Sequence, residues 1–386
     1  MLSLRNALPN GLTVSMSEEI SVLVAEHEGA GGLVVGHAQL NVEVTLNALS
    51  LAMIRLLEAA LRDWAAREEV VAVVITAAGD KAFCAGGDVQ ALYRAIDANH
   101  TAGEVVDDYP FRFFEEEYRL DFLIHTYPKP LLTLGHGIVM GGGLGILCAS
   151  QFRVLTDRSR LAVPEITIGL FPDAGASWTL GKMQPHHASY LALSGSHVNA
   201  ADSLVTGMGT HVIGHDSRAP WLQDLLQLPW SSERRANETL LSTWLEEGAG
   251  LTLADSELVN VPEREVDFLD LPGEVAALYE LQGTSKWIDR GVGNLRNGCP
   301  TTAGIIVEQL HRVGAMSLAD SFRMELTVAT HCAQNTDFRE GVRALLIDKD
   351  NTPDWAFGSI DALPRDHVLS HFVPPWDQHP LADLAG

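Results

Sequence analysis

The chain has 386 residues, of which 46% are hydrophobic and 20% charged, which describes a globular protein of one large domain with an extension, or of two domains. With 26 basic and 50 acidic residues its net charge is −24, which argues against nucleic acid or an anionic membrane surface as a partner, because both need a basic patch. A phosphorylated ligand stays open, since a few local donors suffice to hold it.

Cys84, Cys148, Cys299 and Cys332 lie far apart with no C-x-x-C pair. Neither a zinc site nor a disulfide framework is suggested, and no metal is expected. A reducing compartment suits such cysteines, and the reading places the chain in the cytoplasm. No apolar stretch approaches the length of a transmembrane helix. Residues 1–19 read as a loose leader whose one basic residue is Arg5, without the charged-then-apolar order of a secretory signal.

Ile20 to Glu26 and Gly32 to His37 follow as two short strands rich in apolar and β-branched residues. From Asn47 the period changes. Leu49, Met53, Leu56, Leu57, Ala60, Leu61 and Trp64 recur at helical spacing, with charged residues on the other side. The run Val70 to Thr76 then suits a strand buried on both faces.

Lys81-Ala82-Phe83-Cys84-Ala85-Gly86-Gly87-Asp88 is a small-residue turn that ends in an N-cap candidate, Asp88, before a helix over Val89 to Ile96. Asp107 to His125 interleaves Phe111, Phe113, Phe114, Tyr118 and Phe122 with Glu115, Glu116 and Glu117, and reads as an amphipathic helix. The strand Leu131 to Leu134 leads into the triple glycine Gly141-Gly142-Gly143, repeating the order strand, glycine turn, helix. A β-hairpin is expected from Phe152–Leu155 and Leu161–Val163, ending at Pro164-Glu165.

Helical pieces follow over 174–183, 188–194 and 200–207. Residues 214–300 alternate helices, at 219–226, 238–247 and 272–281, with Pro/Gly breaks and concentrate no chemistry. Three helices, at 301–312, 318–332 and 337–346, complete the chain. The expected division is therefore the leader, a core over 20–213 and a helical region over 214–386.

Consecutive glycines between a strand and a helix let the backbone approach a ligand closely and turn N–H groups outward, in the favourable field of a helix N-terminus. The triple glycine taken alone fits close helix–strand packing as well as it fits anion binding. Gly86-Gly87 in a similarly placed turn favours two single donors on one carbonyl oxygen that becomes negative in a transition state. Neither turn matches a dinucleotide or P-loop signature, and G-x-S-x-G is absent. Glu165 and Asp173 each follow a proline among apolar residues, a setting that perturbs carboxylates toward acid/base use. Spacing alone leaves a surface acid and a helix cap open for them.

Taken together, these segments resemble the enoyl-CoA hydratase/isomerase (crotonase) superfamily. The resemblance rests on Lys81 to Asp88, on Gly137-Ile138-Val139-Met140-Gly141-Gly142-Gly143-Leu144-Gly145, and on Val163-Pro164-Glu165 through Gly169-Leu170-Phe171-Pro172-Asp173, with 337–344 and 346–350 in support. It implies an α/β fold, a crotonase-like spiral of ββα units with a helical C-terminal extension. It also implies an oxyanion hole from the N–H groups of Gly87 and Gly142, with Ala85, Gly86 and Gly141 beside the substrate.

Hydratases of the superfamily place a first catalytic glutamate two residues after the triple glycine, where this chain has Gly145. That departure argues against water addition across a double bond. Glu165 matches the second glutamate, and Asp173 matches an aspartate of the superfamily's thioester-cleaving branch. The implied reaction is hydrolysis of a short 3-hydroxyacyl-CoA thioester, 3-hydroxyisobutyryl-CoA in valine breakdown, with Glu165 and Asp173 as the catalytic pair. Coenzyme A enters as part of the substrate, no cofactor is bound permanently, and a homo-oligomer is in keeping with the superfamily.

The loop Asn41 to Asn47 carries Val42, Glu43 and Val44 where the superfamily often has basic residues, so the CoA phosphates fall to other cations, Lys81 or Lys349. Two rival readings remain, an enoyl-CoA isomerase that uses Glu165 alone and a catalytically silent acyl-CoA-binding subunit.

Overall fold

The computed structural model describes residues 21–247 and 251–385, so the leader assigned to 1–19 lies outside the described residues. Among the described residues nine strands form two sheets. β1 (Val22–Glu28), β2 (Val34–Leu40), β3 (Val70–Ala77), β5 (Leu131–Gly135), β7 (Phe152–Thr156) and β9 (His211–Ile213) make a six-stranded sheet in the order β1-β2-β3-β5-β7-β9. Only β1 and β2 run antiparallel in it. The three-residue strands β4 (Ala82–Cys84), β6 (Ile138–Met140) and β8 (Arg160–Ala162) form a second, parallel sheet.

Each turn of the chain thus lays a long strand in the large sheet and a short one in the small sheet before a helix: β3-β4-α2 (Val89–Ala102), β5-β6-α4 (Gly142–Ala149), and β7-β8-α5 (Ala176–Leu180). This is the expected spiral of ββα units. Before it stands α1 (Leu51–Ala66), and α3 (Tyr109–His125) lies between α2 and β5.

The expected hairpin of Phe152–Leu155 with Leu161–Val163 does not form. β7 pairs with β5 and β9, whereas β8 pairs with β6 in the other sheet. The turn itself gives the reason. Ser159 Oγ accepts from Thr156 N at 2.8 Å and donates to Gly135 O at 2.7 Å, while Arg160 N donates to Gly137 O at 2.8 Å, so the chain leaves the turn bound to the β5–β6 connection. The expected helical pieces over 188–194 and 200–207 do form, and β9 follows them from His211.

All eight residues of β3 are buried, as their continuous apolar run requires. Val73 and Ile75 face a large core with Met53, Leu57 and Trp64 of α1 and Phe114 and Tyr118 of α3. Val71 and Val74 face a second core with Trp221 and Leu225 of α8 (Arg218–Leu226) and Leu241 and Leu245 of α9 (Arg234–Glu247). The first part of the stretch that carried no chemistry in the sequence, α8 and α9, therefore covers the outer face of the large sheet, while its later residues Val275, Leu278, Ile288 and Val292 join the large core. Gly36 makes room for the Trp64 ring, which a Cβ there would approach to 2.6 Å.

In the chain α6 (Pro185–Ser194) and α7 (Ala200–Thr206) lie between α5 and β9. Beyond α9 come α10 (Leu271–Tyr279), α11 (Lys286–Asn297), α12 (Pro300–Val313), α13 (Leu318–Gln334), α14 (Thr336–Val342) and α15 (Arg365–Ser370). α12, α13 and α14 close on the segment that holds both candidate carboxylates. Gln309 Nε2 donates to Pro172 O at 2.6 Å, Glu325 accepts from Gly175 N at 2.8 Å, and Gly169 adopts φ +71° where any Cβ would run into the Asp337 carbonyl.

Candidate active site

The two glycine turns meet. Leu49 N donates to Gly86 O at 2.8 Å and Asp88 N donates to Leu49 O at 2.9 Å, a parallel bridge that uses the neighbours of Gly87 and leaves its own N–H turned the other way. Gly142 is the first residue of α4, where an N–H has no acceptor within its helix. Gly86 at φ +104° and Gly141 at φ +50° take backbone conformations that side chains oppose, which is why glycines stand there. The point where a Cβ on Gly141 would sit lies 3.1 Å from Gly86 Cα, 3.9 Å from Gly87 N and 3.8 Å from Glu165 Oε1. Gly87 N and a carboxylate oxygen of Glu165 therefore flank one small space, with Gly142 N next along the chain.

Glu165 starts a short turn after β8 and Pro164, with its backbone carbonyl accepting from Ile168 N at 3.0 Å and Leu170 N at 3.2 Å. The side chain is 4% exposed, and Oε2 has no hydrogen-bond partner among the described residues. Burial, then the Asp173 charge, raises its carboxyl well above the usual carboxylate range. Asp173 is 7% exposed, and Tyr118 Oη donates to its Oδ2 at 2.7 Å. Burial pushes Asp173 up to about 6 against the opposing effect of the Tyr118 hydrogen bond. Asp88, read as a cap, is one, with Oδ1 accepting from Ala91 N at 3.0 Å.

Ala85 lies in the β4–α2 loop, with its N–H donated to Leu46 O at 3.1 Å. The structure thus gathers Ala85, Gly86, Gly87, Gly141, Gly142, Glu165 and Asp173. Lys81 and Lys349 are exposed on separate loops, and neither ammonium has a carboxylate partner among the described residues. Glu43 packs its side chain over Gly79, and Val44 is 85% exposed, so no cation comes from that loop.

Three carboxyl groups here escaped the sequence reading. Glu117, 2% exposed, places Oε1 where a Cβ on Gly142 would stand, and that oxygen has no hydrogen-bond partner among the described residues. Asp121, fully buried, has neither oxygen paired among the described residues. Glu325, also fully buried, accepts from Gly175 N at 2.8 Å, from Ser177 N at 3.1 Å and from the Ser177 hydroxyl. Burial is the main cause that raises all three, Glu117 and Asp121 well above the usual range and Glu325 to about 8.

The signal for Glu117 was its position: it follows Phe113 by four residues and precedes Tyr118, so it falls on the apolar face of α3 rather than the wet one. No group of three His, Cys, Asp or Glu side chains among the described residues is set to hold a metal ion.

A sequence model of the family described as Enoyl-CoA hydratase/isomerase matches residues 35–372. The chain is 31% identical over 367 residues to the mitochondrial 3-hydroxyisobutyryl-CoA hydrolase of Gallus gallus, covering 94% of this chain and 91% of that one. Its identity to the protein of the same name from Danio rerio is 34% over 337 residues, covering 87% and 85%. Among solved structures it is similar to a carnitinyl-CoA dehydratase from Mycobacterium thermoresistibile, with a TM-score of 0.80 and 27% identity over 94% of this chain and 98% of that chain.

Proposed function

The chain belongs to the enoyl-CoA hydratase/isomerase family, and from that premise we propose that it hydrolyses 3-hydroxyisobutyryl-CoA to 3-hydroxyisobutyrate and coenzyme A, a step of valine breakdown. One observation carries the reading: Gly87 N and Glu165 Oε1 lie within 4 Å of one point beside Gly141, with Gly142 N next along the chain. Relatives that cover most of the chain and are named for this hydrolysis support the substrate.

The thioester oxygen sits between Gly87 N–H and Gly142 N–H, which stabilise the charge it gains in the transition state. Glu165 either activates water or attacks the carbonyl carbon to form an anhydride that water then opens. Asp173, held by Tyr118, receives the substrate hydroxyl. Glu117 beside Gly142 must be uncharged there, because a carboxylate would oppose the developing oxyanion, and its burial among acids favours that neutral form. Gly145 has no side chain to serve as the hydratase glutamate.

No resident cofactor is needed for this chemistry. Coenzyme A arrives with the substrate, and Lys81 and Lys349 are the cations we assign to its phosphates, since both stand exposed and unpaired among the described residues. Assembly as a homo-oligomer follows superfamily habit. No helix among the described residues is long and apolar enough to cross a membrane. All four cysteines are free thiols, which suits the cytoplasm read from the sequence, while the relatives compared above are named mitochondrial.

Thiol release over a small panel of acyl-CoA esters tests the reading. Turnover is expected to be fastest with 3-hydroxyisobutyryl-CoA. Double-bond migration in a 3-enoyl-CoA without thiol release would make the protein an isomerase, and tight ester binding without turnover would make it a silent binding subunit.

A further inference from the structure

Glu117, Asp121 and His125 follow one another at four-residue intervals on α3 and so stack on one side of the helix. They run alongside α4. At its start Glu117 Oε1 stands over Gly142, one turn on Asp121 Oδ2 lies 3.1 Å from the point where a Cβ on Gly145 would be, and His125 reaches the other end. There His125, Cys148, Ala149, Arg153, Trp178 and Lys182 line a cavity of about 600 Å3. Asp121 is the unexplained member. A fully buried carboxyl with both oxygens unpaired among the described residues is unfavourable, because it gives up its bonds to water and gains none in return. Nothing in the packing around Gly145 and Ala174 needs a carboxyl.

Hydrolysis of a thioester consumes one water and yields a carboxylic acid and a thiol. Near neutral pH the acid ionises, so one proton must leave for each ester cleaved. We propose that Glu117, Asp121 and His125 form a path that conducts this proton along α3 to solvent in the cavity at the far end of α4; the proposal rests on the hydrolysis reading above. The O–H bond of the product acid breaks as one forms on Glu117. Glu117 passes its own proton to Asp121, whose two unpaired oxygens can turn to either neighbour, Asp121 passes one to a ring nitrogen of His125, and His125 releases another from its second nitrogen to a buffer base. The chain ends as it began.

The surroundings suit each group. Burial first, and then the charges of Glu325 from α13 and Asp173 from the loop before α5, favour the protonated form of Asp121, with Glu117 one turn back on the same helix. Burial first, and then Lys182 and Arg153, lower His125 to about 3, while the Phe322 ring packs on its edge. An imidazole so placed passes a proton on without retaining it.

The test uses the full chain with saturating 3-hydroxyisobutyryl-CoA in weak buffer. Asp121→Asn, which keeps the shape but cannot relay, is expected to lower kcat about tenfold or more with KM close to wild type and no loss of Tm. His125→Ala is expected to be slow in the same way and to recover with millimolar imidazole, which enters the cavity, whereas Asp121→Asn does not recover. Wild-type kcat in Asp121→Asn, or a His125→Ala protein that is either unimpaired or indifferent to imidazole, overturns the path while leaving the hydrolase reading intact. A wild-type chain that releases no thiol overturns both.

Discussion

The Tyr118 hydroxyl donates to Asp173 Oδ2 at 2.7 Å inside a site that buries both residues. A donor to a carboxylate favours its charged form, and here it opposes the upward push of burial that leaves Asp173 at about 6. Tyr118→Phe therefore raises Asp173 further. The acid limb of the kcat/KM profile, measured by thiol release, moves to higher pH by roughly one unit. A limb that stays in place or moves to lower pH would show that Asp173 does not need to be ionised for turnover.

Gly142 has no room for a side chain. A Cβ there would collide with Glu117 Oε1 and lie 3.2 Å from Leu49 Cδ2. Gly142→Ala must shift α3 or the start of α4, and displacing one oxyanion donor costs about a hundredfold or more in kcat. Adding Glu117→Ala to the same chain removes the obstacle and is expected to restore most of the lost Tm. Calorimetry of the single and double variants checks the cause, and equal Tm values for the two would refute it.

Glu325 holds the segment after Asp173 by its bonds to Gly175 N, Ser177 N and the Ser177 hydroxyl. Glu325→Ala leaves those donors buried and unpaired. At about 1–3 kcal/mol for each unsatisfied group, the expected loss is several kcal/mol of stability, read from denaturant midpoints. Glu325→Gln keeps an acceptor and is expected to lose less than half as much.

The buried acids also set how stability varies with pH. Burial raises Glu117, Asp121, Glu165, Asp173 and Glu325, Asp173 to about 6 and Glu325 to about 8. Unfolded carboxyls lose their protons near pH 4, while the folded chain keeps these protons to higher pH. The unfolded state then binds fewer protons than the native one, so stability falls as pH rises from about 4 to 8. Asp121→Asn removes one such group. Its Tm should match wild type near pH 4 and exceed it at pH 8, and a Tm difference independent of pH would contradict the assignment.

What the sequence revealed was local. Gly86-Gly87 and Gly141-Gly142-Gly143 sit directly after apolar runs, and Pro164 and Pro172 mark Glu165 and Asp173, so both turns and both carboxylates could be read without a partner in view. β4 and β6 could not, because three residues are too few to display a period of two, whereas β8 was read as a strand at 161–163 but given the wrong partner. The hairpin failed for a related reason: a polar turn between two strands says nothing of which sheet each one joins. Glu117 and Asp121 stayed hidden because acids in an aromatic helix look solvated. Their burial depends on Gly142 and Gly145 of α4, which lack the side chains that would otherwise fill that space.

In the mechanism proposed above, Glu165 performs the chemistry on a thioester held by Gly87 and Gly142. Thiol release from 3-hydroxyisobutyryl-CoA by wild type and Glu165→Gln, with ester binding measured separately on each, tests it most directly. Rapid release is expected from wild type, and a loss of at least about a hundredfold from Glu165→Gln at nearly unchanged affinity. Equal rates of release by the two proteins would contradict it.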